Sequence, residues 1–305
     1  MNIFFAGTPN SAAEILKSLA SNSLFNIKGV ITQPDKKGKR GNQRIESPVS
    51  VMANSLEIQT YKPINLSKEQ IQNDIDITNA DILLVVAYGN LIPNWILDSN
   101  IKAINVHYSL LPSYRGASPI QSSLLNNDKK TGVTFMQMSE DLDAGKVIKS
   151  FEVPINKHDN KSSLEKKLTK LSILNLEKVV TDFYSNKIIP VDQDHEKATY
   201  CKKISKEDSI INFKESAEKI FAKFRAYNEW PGICFLHKNK VIKIHGLELS
   251  STKSPGIPGD IVSFSNSELT IKTVDYDIVI THLQFPNKNI ITVKDAYNSY
   301  RQFFA

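Results

Sequence analysis

The chain has 305 residues, of which 41% are hydrophobic and 23% charged, with a formal net charge of +6. This length allows two domains of ordinary size, each with its own core. No apolar run approaches the ~20 residues that span a bilayer. The first residues, MNIFFAG, lack the basic stretch and cleavage site of a secretory signal. We therefore expect a cytoplasmic protein without a membrane segment.

The first third of the chain has the pattern of a parallel α/β sheet. Residues 2–6 predict a strand, and a helix follows from Ser11, which has capping-box spacing to Glu14. Phe25 to Thr32 predicts the second strand. Strand, helix and strand in this order form a βαβ unit, which requires parallel strands. The first turn lacks the Gly-x-Gly-x-x-Gly motif, so dinucleotide binding is not expected.

Residues 33–44, QPDKKGKRGNQR, hold five basic side chains, one acidic side chain and nothing to bury. Such a stretch is typical of a solvated surface loop. It is also typical of a segment that binds phosphates, because clustered cations neutralise them and release counterions. Charge alone leaves both interpretations open. The five cations are Lys36, Lys37, Lys39, Arg40 and Arg44.

The next segments predict two helices and a buried strand. Ser47-Pro48 favours a helix start, since serine caps and proline is tolerated at the first helical position. A capping signal at Ser67 predicts a further helix over residues 68–78. The run from Asp81 to Gly89 is apolar on both faces, which is typical of a central strand covered by helices. Because open α/β sheets bind ligands beyond the carboxyl ends of their strands, the turn Ala87-Tyr88-Gly89 is a candidate binding element.

Residues 103–146 carry the polar groups that indicate chemistry. Asn105 and His107 are two apart on a predicted strand and therefore share one face. The strand breaks at Pro112, and a second apolar run from Val133 to Met138 leads into an acidic turn that contains Asp143. If the two runs lie side by side, Asp143 faces His107. A carboxamide, an imidazole and a carboxylate at strand ends are suited to acyl transfer.

The rest of the chain predicts a long helix, a linker and a second domain. The helix covers residues 162–186, and a polar segment over 190–205 separates domain 1–189 from domain 206–305. The second domain has one helix, five short alternating strands and a terminal helix, a pattern typical of an OB-like β-barrel. Residues 201–305 carry 15 basic against 11 acidic side chains, so the positive charge is concentrated there.

These motifs resemble the folate-dependent formyltransferases, and within them the branch that acts on methionyl-tRNA. The similar segments are Asn105-Val-His107, Ser109-Leu110-Leu111-Pro112, Tyr114-Arg-Gly116, Pro119-Ile-Gln121 and Leu142-Asp143-Ala-Gly145. Further likeness runs from Phe5-Ala-Gly-Thr-Pro9 to the last helix, including Arg225-Ala-Tyr-Asn-Glu-Trp-Pro231. The resemblance implies a Rossmann-like N-terminal domain followed by an OB-like barrel.

The resemblance also implies a reaction, its co-substrate and its partner. The formyl group of 10-formyltetrahydrofolate passes to the amino group of methionine on initiator Met-tRNA, without a metal ion. Asn105 is expected to stabilise the developing oxyanion, His107 to move protons and Asp143 to orient the imidazole. The implied folate contacts are Ala87, Tyr88, Gly89, Ser109, Leu110, Leu111, Pro112 and Leu142. The basic stretch 33–44 corresponds to a tRNA-binding loop, and we expect a monomer.

Two other functions share part of this pattern. A relative that formylates glycinamide ribonucleotide or a sugar nucleotide would use the same three polar residues, but would not need a basic insertion together with a basic second domain. A non-catalytic RNA-binding module would account for the charge, but would leave Asn105, His107 and Asp143 without a role.

Overall fold

The computed structural model describes residues 1–38, 44–68, 77 and 80–305. The chain forms two compact units. The first contains residues 1–119, 130–154 and 165–201, and the second contains residues 120–129, 155–164 and 202–305. The helix predicted over 68–78 lies outside the described residues, apart from residues 68 and 77.

The first unit is built on a seven-stranded sheet with the order β10-β9-β7-β6-β1-β2-β5. The strands of the first unit are β1 (Asn2–Gly7), β2 (Asn26–Ile31), β3 (Lys36–Lys37), β4 (Arg44–Ile45), β5 (Thr60–Tyr61), β6 (Ile82–Val86), β7 (Lys102–His107), β8 (Arg115–Gly116), β9 (Lys130–Gln137), β10 (Val147–Pro154) and β11 (Tyr200–Cys201). Four of them lie outside the seven-stranded sheet, because β3 pairs with β4 and β8 with β11. The five neighbouring strands β7, β6, β1, β2 and β5 are parallel to one another, as the βαβ pattern predicts. Strands β9 and β10 extend one edge in antiparallel pairing, so the complete sheet is mixed.

Three of the helices up to residue 184 begin close to their predicted positions: those at residues 10, 48 and 161. The short helix at 94–97 was not predicted. The described helices of this stretch are α1 (Asn10–Ala20), α2 (Pro48–Ser55), α3 (Asn94–Leu97), α4 (Pro119–Leu125) and α5 (Lys161–Tyr184). Ser47 caps α2 as predicted, because its hydroxyl accepts the Ser50 N–H at 3.0 Å. The predicted capping box at Ser11 is wrong: α1 has Pro9 at its cap without a side-chain bond, and Ser11 instead donates to Glu165.

The end of the first unit is held by short pairings with residues far away in sequence. Val191 exchanges two backbone hydrogen bonds with Val147, at 2.8 and 2.9 Å. Farther on, β11 pairs in parallel with β8. The sequence predicted a linker over 190–205, whereas in the structure residues as far as Cys201 belong to the first unit because of these pairings.

The second unit carries an antiparallel sheet with the order β12-β13-β16-β15-β14, and β17 pairs with β16. Its elements are α6 (Ala217–Ala226), β12 (Ile233–His237), β13 (Lys240–Leu249), β14 (Ile261–Phe264), β15 (Leu269–Lys272), β16 (Asp277–Gln284), β17 (Ile290–Thr292) and α7 (Val293–Phe304). All five predicted strands are present. Within residues 202–305 the edge strands β12 and β14 do not pair, so the sheet is a half-barrel rather than a closed one. No helix in the described part of the chain has the length and apolar character needed to cross a membrane.

Candidate active site

Strand β7 lies inside the first sheet, with β6 parallel on one side and β9 antiparallel on the other. Its register places Asn105 opposite Met136 and His107 opposite Thr134. Strand β9 runs antiparallel to β7, from Thr134 opposite His107 to Gln137 opposite Ile104, and the loop that follows it holds Asp143. The two apolar runs therefore lie side by side, as the sequence interpretation required.

Asn105, His107 and Asp143, called the triad below, converge at the carboxyl end of β7. The Asn105 amide Nδ2 donates to Asp143 Oδ1 at 3.2 Å. Asp143 Oδ2 accepts the backbone N–H of Gly116 at 2.8 Å and lies 3.7 Å from His107 Nδ1. The second N–H of the Asn105 amide makes no bond within the described residues, so it is available to a developing oxyanion.

The hydrogen bonds of His107 define its tautomer. Its Nε2 lies 2.9 Å from the carbonyl oxygen of Tyr114. A carbonyl can only accept, so Nε2 carries a proton and Nδ1 is the nitrogen that faces Asp143. The imidazole is 6% exposed. The ring is thus shielded from solvent, and its Nδ1 faces the Asp143 carboxylate.

The predicted folate residues 109–112 serve mainly to hold the backbone beside the triad. The Ser109 hydroxyl is fully buried and donates to the Ser113 carbonyl at 2.5 Å. Thr134 receives the Leu111 N–H at 3.1 Å and donates to the Ser109 carbonyl at 2.7 Å. The Ser109 side chain is thus already engaged, and Leu110 and Pro112 are the partly exposed members of the segment.

The turn that follows β6 lies at the same edge of the sheet, because the carboxyl ends of parallel strands share one edge. Ala87 and Gly89 have positive φ angles of 46° and 93°. The hydroxyl of Tyr88 and Nε2 of Gln33 are buried without a hydrogen-bond partner among the described residues. Burial raises the pKa of the Tyr88 phenol, an effect that nearby Asn90 partly offsets. Tyr88 packs in the apolar core with Phe4 and Leu66. Gln33 Nε2 lies 3.7 Å from the Cβ position of Gly89, so Gln33 is the unpartnered polar group at the turn itself.

Tyr108 anchors the end of β7 to α5. The Thr169 hydroxyl donates to the Glu165 carbonyl at 2.8 Å, so the Tyr108 hydroxyl is the donor in its 3.0 Å bond to Thr169 Oγ1. Burial raises the pKa of Tyr108 to about 12, and the charge of Glu165 acts in the same direction. This side chain is a neutral structural donor beside the triad.

The sequence model of the formyl transferase family matches residues 1–180, and that of the formyl transferase C-terminal domain matches residues 203–301. The chain belongs to the formyl transferase family. Methionyl-tRNA formyltransferase of Buchnera aphidicola subsp. Acyrthosiphon pisum (strain Tuc7) is 39% identical over 306 residues, which cover 100% of this chain and 97% of that protein. The family resemblance read from the sequence motifs is therefore confirmed.

Solved structures of the formyl transferase fold are similar at lower identity. The sugar 3N-formyltransferase WlaRD, crystallised with dTDP and 5-N-formyl-THF, has a TM-score of 0.69 at 20% identity, over 95% of this chain and 99% of its own. The N-formyltransferase of Helicobacter canadensis, in complex with folinic acid and dTDP-3-aminofucose, has a TM-score of 0.69 at 18% identity, over 93% and 99%. At these identities the likeness shows the shared fold.

The described ends of the basic stretch in this formyl transferase pair as two short antiparallel strands, called the hairpin below, with Lys36 opposite Ile45 and Lys37 opposite Arg44. All three of these cationic side chains are exposed. The hairpin base is fastened by Lys62, which lies 2.7 Å from Asp35. The other two predicted tRNA-binding residues, Lys39 and Arg40, lie outside the described residues.

Two contributors to the site were missed at the sequence level. The backbone N–H of Gly116 binds the Asp143 carboxylate, and the Gln193 side chain binds the backbone of the same loop. A motif search detects side chains and not backbone donors, so Gly116 gave no chemical signal. Gln193 lies 50 residues beyond Asp143 in a segment interpreted as linker, and no local pattern connects the two.

Proposed function

We propose that this formyl transferase transfers the formyl group of 10-formyltetrahydrofolate to the amino group of methionine on initiator Met-tRNA, in the cytoplasm and as a monomer. The observation that carries the proposal is the convergence of the triad at the carboxyl end of β7. The full-length similarity to a methionyl-tRNA formyltransferase supports the choice of acceptor.

The triad matches the demands of formyl transfer. A bond forms between the acceptor nitrogen and the formyl carbon while the bond from that carbon to the donor nitrogen breaks. Negative charge develops on the formyl oxygen, and one proton moves from the acceptor amine to the departing nitrogen. The unused N–H of Asn105 is available to the oxygen, and a donor of this kind contributes about 3–4 kcal/mol to lowering the barrier. His107 is the group suited to move this proton, and the Asp143 carboxylate, 3.7 Å from its Nδ1, favours the charged form of the ring.

The residues around the turn after β6 fit a folate. The pterin ring of a folate carries groups that accept hydrogen bonds, and the unpartnered Nε2 of Gln33 beside Gly89 can donate one. The exposed backbone at Ala87 and Gly89 supplies further polar contacts, and Leu142, 55% exposed, offers an apolar surface. When bound, the co-substrate supplies the activated formyl group.

The charged surfaces support a polynucleotide acceptor. The exposed cations Lys36, Lys37 and Arg44 lie on paired strands, next to the ion pair of Lys62 with Asp35. Residues 201–305 add 15 basic against 11 acidic side chains. A small phosphorylated acceptor does not need both features together, whereas the many phosphates of a polynucleotide can bind both.

A formylation assay with competing acceptors tests the proposal. The full-length protein and 10-formyltetrahydrofolate are supplied with initiator Met-tRNA, elongator Met-tRNA, glycinamide ribonucleotide or an amino-sugar nucleotide. We expect the highest kcat/KM with initiator Met-tRNA and a fall in kcat/KM with rising salt for the tRNA alone. Faster turnover of a small amine would transfer the assignment to a small-molecule formyltransferase.

A further inference from the structure

The Gln193 side chain uses all of its hydrogen-bonding capacity between the Asp143 loop and a buried arginine. Its Nε2 donates to the carbonyl oxygens of Asp143, at 2.9 Å, and Gly145, at 2.7 Å. Its Oε1 accepts from Arg115 Nε at 3.1 Å and from the Arg115 Nη2 at 2.8 Å. Gln193 is 6% exposed and Arg115 is 2% exposed.

The arginine decides which way the amide points. A guanidinium has only donors, so the carbonyl end of Gln193 must face Arg115 and its NH2 end must face the loop. Arg115 forms no ion pair with a carboxylate in the described residues; its other neighbours are His195 Nδ1 at 3.4 Å and the Tyr200 hydroxyl at 3.3 Å. The uncompensated positive charge therefore acts directly on the Gln193 carbonyl, which strengthens these bonds and prevents the amide from turning over.

Strand β8, which consists of Arg115 and Gly116, also binds the Asp143 carboxylate. Arg115 orients Gln193, while the next residue, Gly116, donates its N–H to the Asp143 carboxylate at 2.8 Å. Strand β8 is itself fixed by pairing with β11. Asp143 has a φ of 51°, a left-handed conformation that aspartate adopts more readily than most residues, and the bonds from Gly116 and Gln193 hold it there.

We propose that Gln193 is a positioning residue: it holds the Asp143 backbone so that the carboxylate meets Asn105 and His107, and Arg115 sets the orientation of its amide. This role rests on the proposed function for its kinetic consequence. Because a misplacement of about 1 Å can reduce turnover by ~10²-fold, loss of the two donated bonds is expected to reduce kcat by ~10–100-fold with little change in KM.

Gln193→Glu separates positioning from general stability. The variant keeps the volume of the side chain and the contact to Arg115, which becomes charge-assisted, but it turns a carboxylate oxygen toward the two loop carbonyls. At pH 8 we expect unchanged or higher thermal stability together with the reduced kcat. A residue with a purely structural role would show activity that follows stability. Glu196→Gln is the matched control, since this exposed side chain of the same segment makes no hydrogen bond or ion pair to the Asp143 loop among the described residues.

Two further measurements complete the test. If Gln193 acts through Asp143, the double variant Gln193→Ala/Asp143→Ala will have the kcat of Asp143→Ala alone. Losses that multiply, or a Gln193→Glu variant with wild-type kcat, would overturn the proposal.

Hydrogen exchange of the peptide 137–147 gives a readout without substrate. Exchange should quicken in Gln193→Glu and not in Glu196→Gln, and unchanged exchange in Gln193→Glu would refute the role even if the wild type proved inactive on Met-tRNA.

Discussion

Replacement of Gly145 by alanine tests whether the position of the Asp143 loop controls turnover. A Cβ atom at Gly145 would lie 1.9 Å from the Gln137 carbonyl oxygen, 3.1 Å from its carbon and 3.2 Å from the Ser139 nitrogen. All three are backbone atoms, so no side-chain rotation relieves the overlap. The Gln137 N–H also donates to the Lys146 carbonyl at 2.8 Å, which ties the end of β9 to the same loop.

The size of the required movement follows from these distances. Ordinary contact with the carbonyl oxygen begins near 3.4 Å, so the loop and β9 must separate by about 1.5 Å. Strand β9 is paired on both sides, whereas the loop is not, so the loop is expected to yield. Asp143 lies two residues away and its bonds of 2.8 and 3.2 Å would be broken or bent. A displacement of about 1 Å is expected to lower kcat by ~10²-fold.

The assay compares kcat, tetrahydrofolate affinity and thermal unfolding for Gly145→Ala and Gly232→Ala. Gly232 is the control because a Cβ there meets nothing within 4 Å. Its φ of 80° still makes alanine about 1 kcal/mol less favourable, so a small loss of stability is expected with near-normal kcat. A folded Gly145→Ala variant with kcat within about threefold of wild type would show that the loop position does not limit the reaction.

Three further predictions concern the triad, the hairpin and Tyr108. Alanine at any one position of the triad should lower kcat by ~10²-fold or more while changing folate affinity much less; near-normal kcat in two of the three variants would remove the mechanism. Joint replacement of Lys36, Lys37 and Arg44 by alanine should reduce the slope of log K for tRNA against log salt by about 0.7–0.9 per lost phosphate contact, and an unchanged slope would mean a solvated hairpin without contacts. The pKa of Tyr108, raised from 10.0 to about 12, implies stability that is complete below pH 10 and lost as the pH rises through 12. Between pH 9 and pH 11, urea unfolding should therefore show wild type losing about 1.4 kcal/mol more than Tyr108→Phe, and equal losses would contradict the assignment.

Much of the fold follows from local patterns, since hydrophobic period and turn chemistry act within a few residues. The all-apolar run at Ile82–Val86 forms a fully buried strand. Ser47 caps the helix that begins at the next residue, Pro48. The failures involve distant partners. Ser11 has a favourable capping spacing, but its hydroxyl bonds Glu165, 154 residues away. The antiparallel edge formed by β9 and β10 was likewise not fixed by any signal within those strands.

The candidate site shows the same division. The i, i+2 spacing of Asn105 and His107 is local, and the structure brings both to Asp143, as the neighbouring runs implied. The supports of that carboxylate are not local. Gly116 contributes only a backbone N–H, and Gln193 depends on the Val147–Val191 bridge for its position. These contacts arise from the folded topology, so the segment that contains Gln193 reads as an ordinary polar linker in the sequence.

Because residues 191–201 belong to the first unit, that unit cannot be completed until the ribosome has synthesised them. Gln193 is made 50 residues after Asp143, which at ribosomal rates of about 5–20 residues per second is an interval of ~3–10 s. During that interval the nascent chain already contains the whole triad, but the Asp143 loop lacks the amide that binds its backbone and β8 lacks β11. Completion of the reaction centre is therefore one of the last steps in the synthesis of the first unit, and a ribosome that stalls before residue 193 carries a sheet without an assembled centre.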